Sequence, residues 1–243
     1  MNERVVVLMG GFSQARDVSL TSGTAVAAAL EEAGYAVVAM DVRRDLRTLV
    51  AGLEAAKPNV VFNALHGRFG ANGAIQGLLD IMKLPYTHSG LSASALAANG
   101  SAARMLFAAA GLPVAGDAQP TGSDRRIAVA VMGDRALGAA EIIAGDDGKV
   151  RAEIPATLSP AATAQALDLA GKAYRALGCR GVCSADLAYG EAPADQPCRL
   201  AVLGVETQPP LSRLSPVPEL ARLAGIGYVD LVRWIVENAR CDG

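Results

Sequence analysis

Leu8-Met9-Gly10-Gly11-Phe12-Ser13-Gln14-Ala15-Arg16-Asp17-Val18-Ser19-Leu20 decides how the first half of this chain is read. It continues an apolar run, Val5-Val6-Val7-Leu8, and opens a helical pattern that extends to about Ala33. A glycine pair between strand and helix lets backbone N–H groups approach a ligand, and the positive end of the following helix favours a negative group. The same pair also serves simply to turn the chain, because glycine tolerates left-handed backbone. Gly10, Gly11 and Ser19 are therefore candidate ligand contacts, and Asp17 either orients a ligand ammonium or caps the helix.

Outward from this stretch, strand-like runs at 5–8, 36–40 and 60–64 alternate with helical patterns near 18–33, 44–55 and 74–82. That alternation is the signature of βαβ units feeding a parallel, Rossmann-like sheet, and it makes the fold α/β. The third strand runs out into Asn63-Ala64-Leu65-His66-Gly67-Arg68-Phe69-Gly70-Ala71-Asn72-Gly73. Open α/β sheets bind ligands at this carboxyl end, and loops of this kind more often bind than pack. His66, Gly67 and Arg68 are thus further ligand candidates, with a structural hydrogen-bonding role for His66 equally open. The Ala-rich stretch 92–110 reads as one more helix, closed by Gly111-Leu112-Pro113.

Residues 115–126, without periodicity, read as a linker between a domain at 1–114 and an α+β domain at 127–243. The second domain shows strands at 127–132, 141–144, 185–188 and 199–205, and Asp146-Asp147-Gly148 suits a hairpin turn. Ser159-Pro160 opens a helix that runs to about Leu177, and a last helix covers 228–239. The expectation is a sheet with helices on one face.

With 51% hydrophobic residues in 243, a substantial core is available. The formal charge of -2, without a dense basic run, excludes nucleic acid as a natural partner. No apolar stretch is long enough to span a bilayer, and the start lacks a signal-peptide pattern, so the cytoplasm is expected. Cys179, Cys183, Cys198 and Cys241 are expected as free thiols, since their spacing from His66 and His88 fits no common zinc pattern.

Both glycine-containing segments resemble the D-alanine–D-alanine ligase family. The resemblance continues through Leu84-Pro85-Tyr86-Thr87-His88-Ser89-Gly90 and Gly111-Leu112-Pro113-Val114, then at Ile127-Ala128-Val129-Ala130-Val131-Met132-Gly133-Asp134-Arg135, at Tyr174 to Gly181, and at the final helix. It implies the ATP-grasp architecture: a Rossmann-like first domain, a middle domain and a C-terminal domain, the last two holding ATP and magnesium.

The departures from that pattern shape the functional expectation. The middle domain belongs between Val114 and Ile127, where only a short segment stands. The phosphate-binding lysines have no counterpart: the chain has only Lys57, Lys83, Lys149 and Lys172, and Asn99-Gly100-Ser101 stands where one is implied. Asp186 matches a metal ligand, but Gly204 replaces a second and Glu206 replaces an asparagine. Ser184 replaces an oxyanion-stabilising arginine, Gln208-Pro209-Pro210-Leu211 replaces Ser-Pro-Gly-Met, and Ser215-Pro216 replaces Ser-Leu.

On this reading Asp17, Ser215, Asp186 and Glu206 are vestigial. The chain is expected to be a non-catalytic homologue without ATP or magnesium, binding a D-amino acid, a dipeptide, or a cell-wall or division protein in a regulatory role linked to peptidoglycan synthesis. One alternative is a pure interaction scaffold or homodimer, held together by surfaces the missing domain exposes. The other is an ATP-dependent D-alanine–D-alanine ligase with residual activity.

Overall fold

Val5, Val6, Val7 and Leu8 are fully buried, and their burial on both faces fixes the first sheet. They belong to β1 (Arg4–Gly10), which pairs in parallel with β2 (Ala36–Val42) on one side and β3 (Val60–Asn63) on the other, in the order β2-β1-β3. The crossovers are α1 (Arg16–Glu32) and α2 (Leu46–Ala56). Asp45 caps α2, its side chain accepting from the N–H groups of Arg47 and Thr48. The computed structural model describes residues 3–114, 125–144, 150–190 and 199–242. Of the linker expected at 115–126, residues 115–124 lie outside them, as do the Asp146-Asp147-Gly148 turn and Cys198, whereas Arg125 and Arg126 already belong to a strand.

After β3 come a short α3 (Arg68–Ala71), α4 (Ala74–Ile81), α5 (Leu91–Ala98) and α6 (Gly100–Ala109). The stretch expected as one helix is two, because Asn99 leaves the helical region (φ -101°, ψ 89°) and its side chain accepts from the Ala102 N–H. Asparagine competes with helical backbone in this way, and an Ala-rich background conceals it.

The second sheet is antiparallel, in the order β6-β5-β4-β7-β8, built from β4 (Arg125–Met132), β5 (Arg135–Ala144), β6 (Val150–Glu153), β7 (Val182–Gly190) and β8 (Arg199–Glu206). Contrary to expectation, helices cover both of its faces. Ile127, Val129 and Val131 face α7 (Pro160–Ala176) and α6, whereas Ala130 and Ala140 turn to α8 (Pro216–Leu223) and its successor α9 (Tyr228–Glu237). Small alanines on that face let Val217, Leu220 and Ala221 approach closely. α8 was not anticipated, although Ser215-Pro216 carries its start signal, Pro at the first helical position.

The core runs across residue 114. Ala103, Phe107 and Leu112 pack into the second sheet's cluster, while Leu231, Val232 and Ile235 of α9 pack with Val5, Val7, Val26 and Leu30 of the first lobe. Tyr86 and Arg240 pair as an isolated bridge, closing the lobes against each other. Among the described residues, no helix is long and apolar enough to cross a membrane.

Candidate functional site

The loops leaving β1 and β3 are tied together at their roots. Gly10 has φ +87°, and a Cβ there would fall 2.2 Å from the Asp41 carboxylate, so glycine is required. Its N–H donates to Ser19 Oγ (2.9 Å), and that hydroxyl, fully buried, donates to the Ala64 carbonyl (2.7 Å). The Gly11 N–H donates to the Val42 carbonyl (2.9 Å). Gly10, Gly11 and Ser19 therefore spend these groups within the fold rather than on a ligand. Arg16 donates to both Asp41 oxygens (2.8 Å each) and to the Gly11 carbonyl (2.9 Å), setting the turn. Asp17 is exposed in the first turn of α1, where a carboxylate suits the helix dipole.

Ser13, not singled out from sequence, links the two loops by donating to the His66 carbonyl (3.1 Å) and accepting from the Ala15 N–H (3.2 Å). Gly67 is glycine for that reason: a Cβ would lie 2.5 Å from Ser13 Oγ. His66 is buried, and burial pushes its pKa down to about 4, so the ring is neutral at neutral pH. Its Nε2 has no partner among the described residues.

A cleft of about 750 Å³ lies between this loop and the end of β8, lined among others by Arg68, Asn99, Arg104, Glu206 and Thr207. Gly67 also lines it, so Gly67, Arg68 and Glu206 are the sequence candidates that the fold brings together there. Asp17, Ser19 and Ser215 are not on its wall. Arg104 was missed as a lining residue, and Asn99 was noted only as standing where the resemblance implies a lysine; both reach the cleft wall from the break between α5 and α6.

The acidic face comes from neighbouring strands. In the β7–β8 ladder Asp186 pairs with Gly204 and Ser184 with Glu206. Asp186 and Glu206 are thus diagonal neighbours on one face. Burial pushes both carboxyls above their usual range, and the Asp186 charge adds to the effect on Glu206. Arg126 offsets it in part, donating to Asp186 at 2.6 Å. Ser215 precedes α8, its Oγ 2.7 Å from Ser212 Oγ. Cys179, Cys183 and Cys241 are free thiols, and the described residues contain no group of three or more His, Cys, Asp or Glu placed to hold a metal.

Comparison with known proteins identifies the lineage. The family description "D-ala D-ala ligase C-terminus" matches residues 125–237, the second sheet with its helices. A D-alanine–D-alanine ligase of Paramagnetospirillum magneticum is 41% identical, with all of both chains covered. The chain belongs to the D-alanine–D-alanine ligase family. The ligase of Rhodospirillum rubrum is likewise 41% identical over the whole of both chains. The alignment with the former runs to 305 positions where this chain has 243 residues, so the relative carries residues without a counterpart here. A crystal structure of the Bacillus anthracis D-alanine–D-alanine ligase complexed with ATP shares the fold, with a TM-score of 0.84 at 18% identity, covering 98% of this chain and 97% of that one.

These findings correct the sequence reading in two respects. The expectation of an inactive homologue is overturned by relatives that match end to end and are ligases. The expectation that ATP and magnesium are lost goes with it, since the relatives matched end to end are ligases and the structural neighbour is a ligase complexed with ATP. Single-residue departures such as Gly204 and Pro210 are weaker evidence than 41% identity in an alignment that covers both chains.

Proposed function

We propose that this chain is an ATP-dependent D-alanine–D-alanine ligase acting in the cytoplasm on free D-alanine. The observation that carries the reading is the convergence, in one cleft of a chain 41% identical to ligases throughout, of the β3 loop and the acidic end of β8. The residues present fit the cofactors by their chemistry. Asp186 and Glu206 are hard oxygen donors on one face, suited to a divalent cation, and the Arg126 guanidinium now offsets the charge such a cation would neutralise. Positive charge for phosphate oxygens comes from Arg104 on the cleft wall, in place of lysine. ATP, when bound, supplies the free energy that joining two free amino acids requires.

The chain's own residues supply position and charge. Arg68, exposed at the cleft, offers a planar fork suited to a substrate carboxylate. His66, near Arg68 in the chain, is buried and neutral, so it acts through hydrogen bonding and not as a cation. Asp186 holds Arg126 and the cation face in place from the centre of β7.

The test is direct: purified chain with ATP, magnesium and D-alanine, followed by phosphate release and by mass spectrometry for the dipeptide. D-alanine-dependent dipeptide, lost in Asp186→Ala, is the expected result. Absence of dipeptide from folded wild-type chain refutes the reading.

A further inference from the structure

Gln208 reaches from the second lobe into the first. Its side chain is 2% exposed. Nε2 donates to the main-chain carbonyl of Asn63, and Oε1 accepts from Asn63 Nδ2 at 3.3 Å, so the amide is engaged at both ends by one residue. Asn63 is itself held on several sides. Its Nδ2 also donates to the Gly70 carbonyl (3.0 Å), its Oδ1 accepts from the Leu65 N–H (3.1 Å), and its N–H donates to Thr87 Oγ1 (3.0 Å). It therefore braces both ends of the loop that carries His66 and Arg68.

On its other side, the Gln208 backbone N–H donates to Glu206 Oε1 at 3.0 Å. One oxygen of that carboxylate is thereby fixed, and with it the plane in which the second is offered to the cleft. Carboxylates that ligate metals are characteristically oriented by such a hydrogen bond from behind.

We infer that Gln208 is a positioning residue: it pins the end of β8 to Asn63 and so presents the Glu206 carboxylate to a divalent cation at a set place beside the β3 loop. The inference rests on the ligase reading above. Only an amide of this length serves. Glutamate keeps the acceptor but cannot donate to the Asn63 carbonyl, methionine does neither, and asparagine is one methylene short.

Titration of the full chain with MnCl2 by isothermal calorimetry tests this, using wild type, Gln208→Met, Glu206→Gln and the double variant. Gln208→Met is expected to weaken Mn2+ binding about 10- to 100-fold, the usual effect of losing a residue that orients a metal ligand. In the Glu206→Gln background the same change is expected to do little, because the group it positions is gone; a merely structural role gives effects that multiply. Unchanged Mn2+ affinity in Gln208→Met, or a loss of equal size in both backgrounds, overturns the inference, as does a wild-type chain that binds no Mn2+. If Gln208→Met does not fold, Gln208→Glu carries the same cycle. Dipeptide formation by wild type with Mn2+ affinity indifferent to Gln208 sinks only this inference; Mn2+ affinity that depends on Gln208 in a chain making no dipeptide sinks only the ligase reading.

Discussion

Acidification from pH 7 to pH 5 is expected to remove a large part of this protein's stability, through two buried histidines. His66 and His88 are 8% and 2% exposed, and burial lowers each from the ordinary 6.5 to about 4. His88 Nδ1 lies 3.3 Å from the Val182 carbonyl, which only accepts, so the proton sits on Nδ1. A second proton on Nε2 would meet no acceptor among the described residues. The folded state therefore binds fewer protons than the unfolded state between pH 6.5 and pH 4. Stability is complete above 6.5 and falls as pH drops through that window. A displacement of this size is worth about 3 kcal/mol for each histidine when fully expressed, and by pH 5 about 2 kcal/mol each is lost. The combined loss of about 4 kcal/mol compares with a whole domain's stability of about 5–15 kcal/mol. Asp186 and Glu206, with raised pKa, work in the opposite sense and return some stability on acidification. Asp41, Asp45 and Glu141 are held below their usual range, so their contribution is lost only at still lower pH. Urea unfolding followed by circular dichroism at half-unit pH steps measures the slope. His88→Asn removes one titrating ring while tolerating the φ of +67° at that position, and it should cut the slope by about half. A flat profile from pH 7 to pH 5, or a slope unchanged in His88→Asn, refutes the reasoning.

Three further outcomes follow from the site. Ser19→Ala strands the Gly10 N–H and the Ala64 carbonyl inside the fold, and should cost about 2–4 kcal/mol in urea unfolding. Asn99→Ala removes the cap of α6 and should cost about 1 kcal/mol, read as a lowered melting temperature. Arg68→Ala should raise KM for D-alanine by about tenfold or more with a smaller effect on kcat, if the guanidinium serves binding more than chemistry; steady-state kinetics separates the two.

Much of the architecture was legible because local rules and tertiary packing agree. Val5 to Leu8 reads as a buried parallel strand and is one, and Ser159-Pro160 starts α7 as its residues require. Agreement failed where one residue overrode its neighbourhood, as Asn99 does by dividing α5 from α6. It failed again for the second sheet, whose alanine-lined back face gives no periodic signal that a helix will cover it. The functional reading went further astray. Substitutions at Gly204, Ser184 and Pro210 argue locally for lost chemistry, whereas 41% identity in an alignment that covers both chains puts this one in a family whose named members are ligases.

The sequence alone determined the parallel first sheet and the loops His66-Gly67-Arg68 and Gly10-Gly11, because period and turn chemistry act over a few residues. Only the tertiary structure decided that Ser19 and the Gly10 N–H belong to the fold, that Arg68 shares a cleft with Glu206, and that Gln208 meets Asn63. Those relations join residues up to 145 positions apart, and at that separation proximity is set by how the two sheets pack.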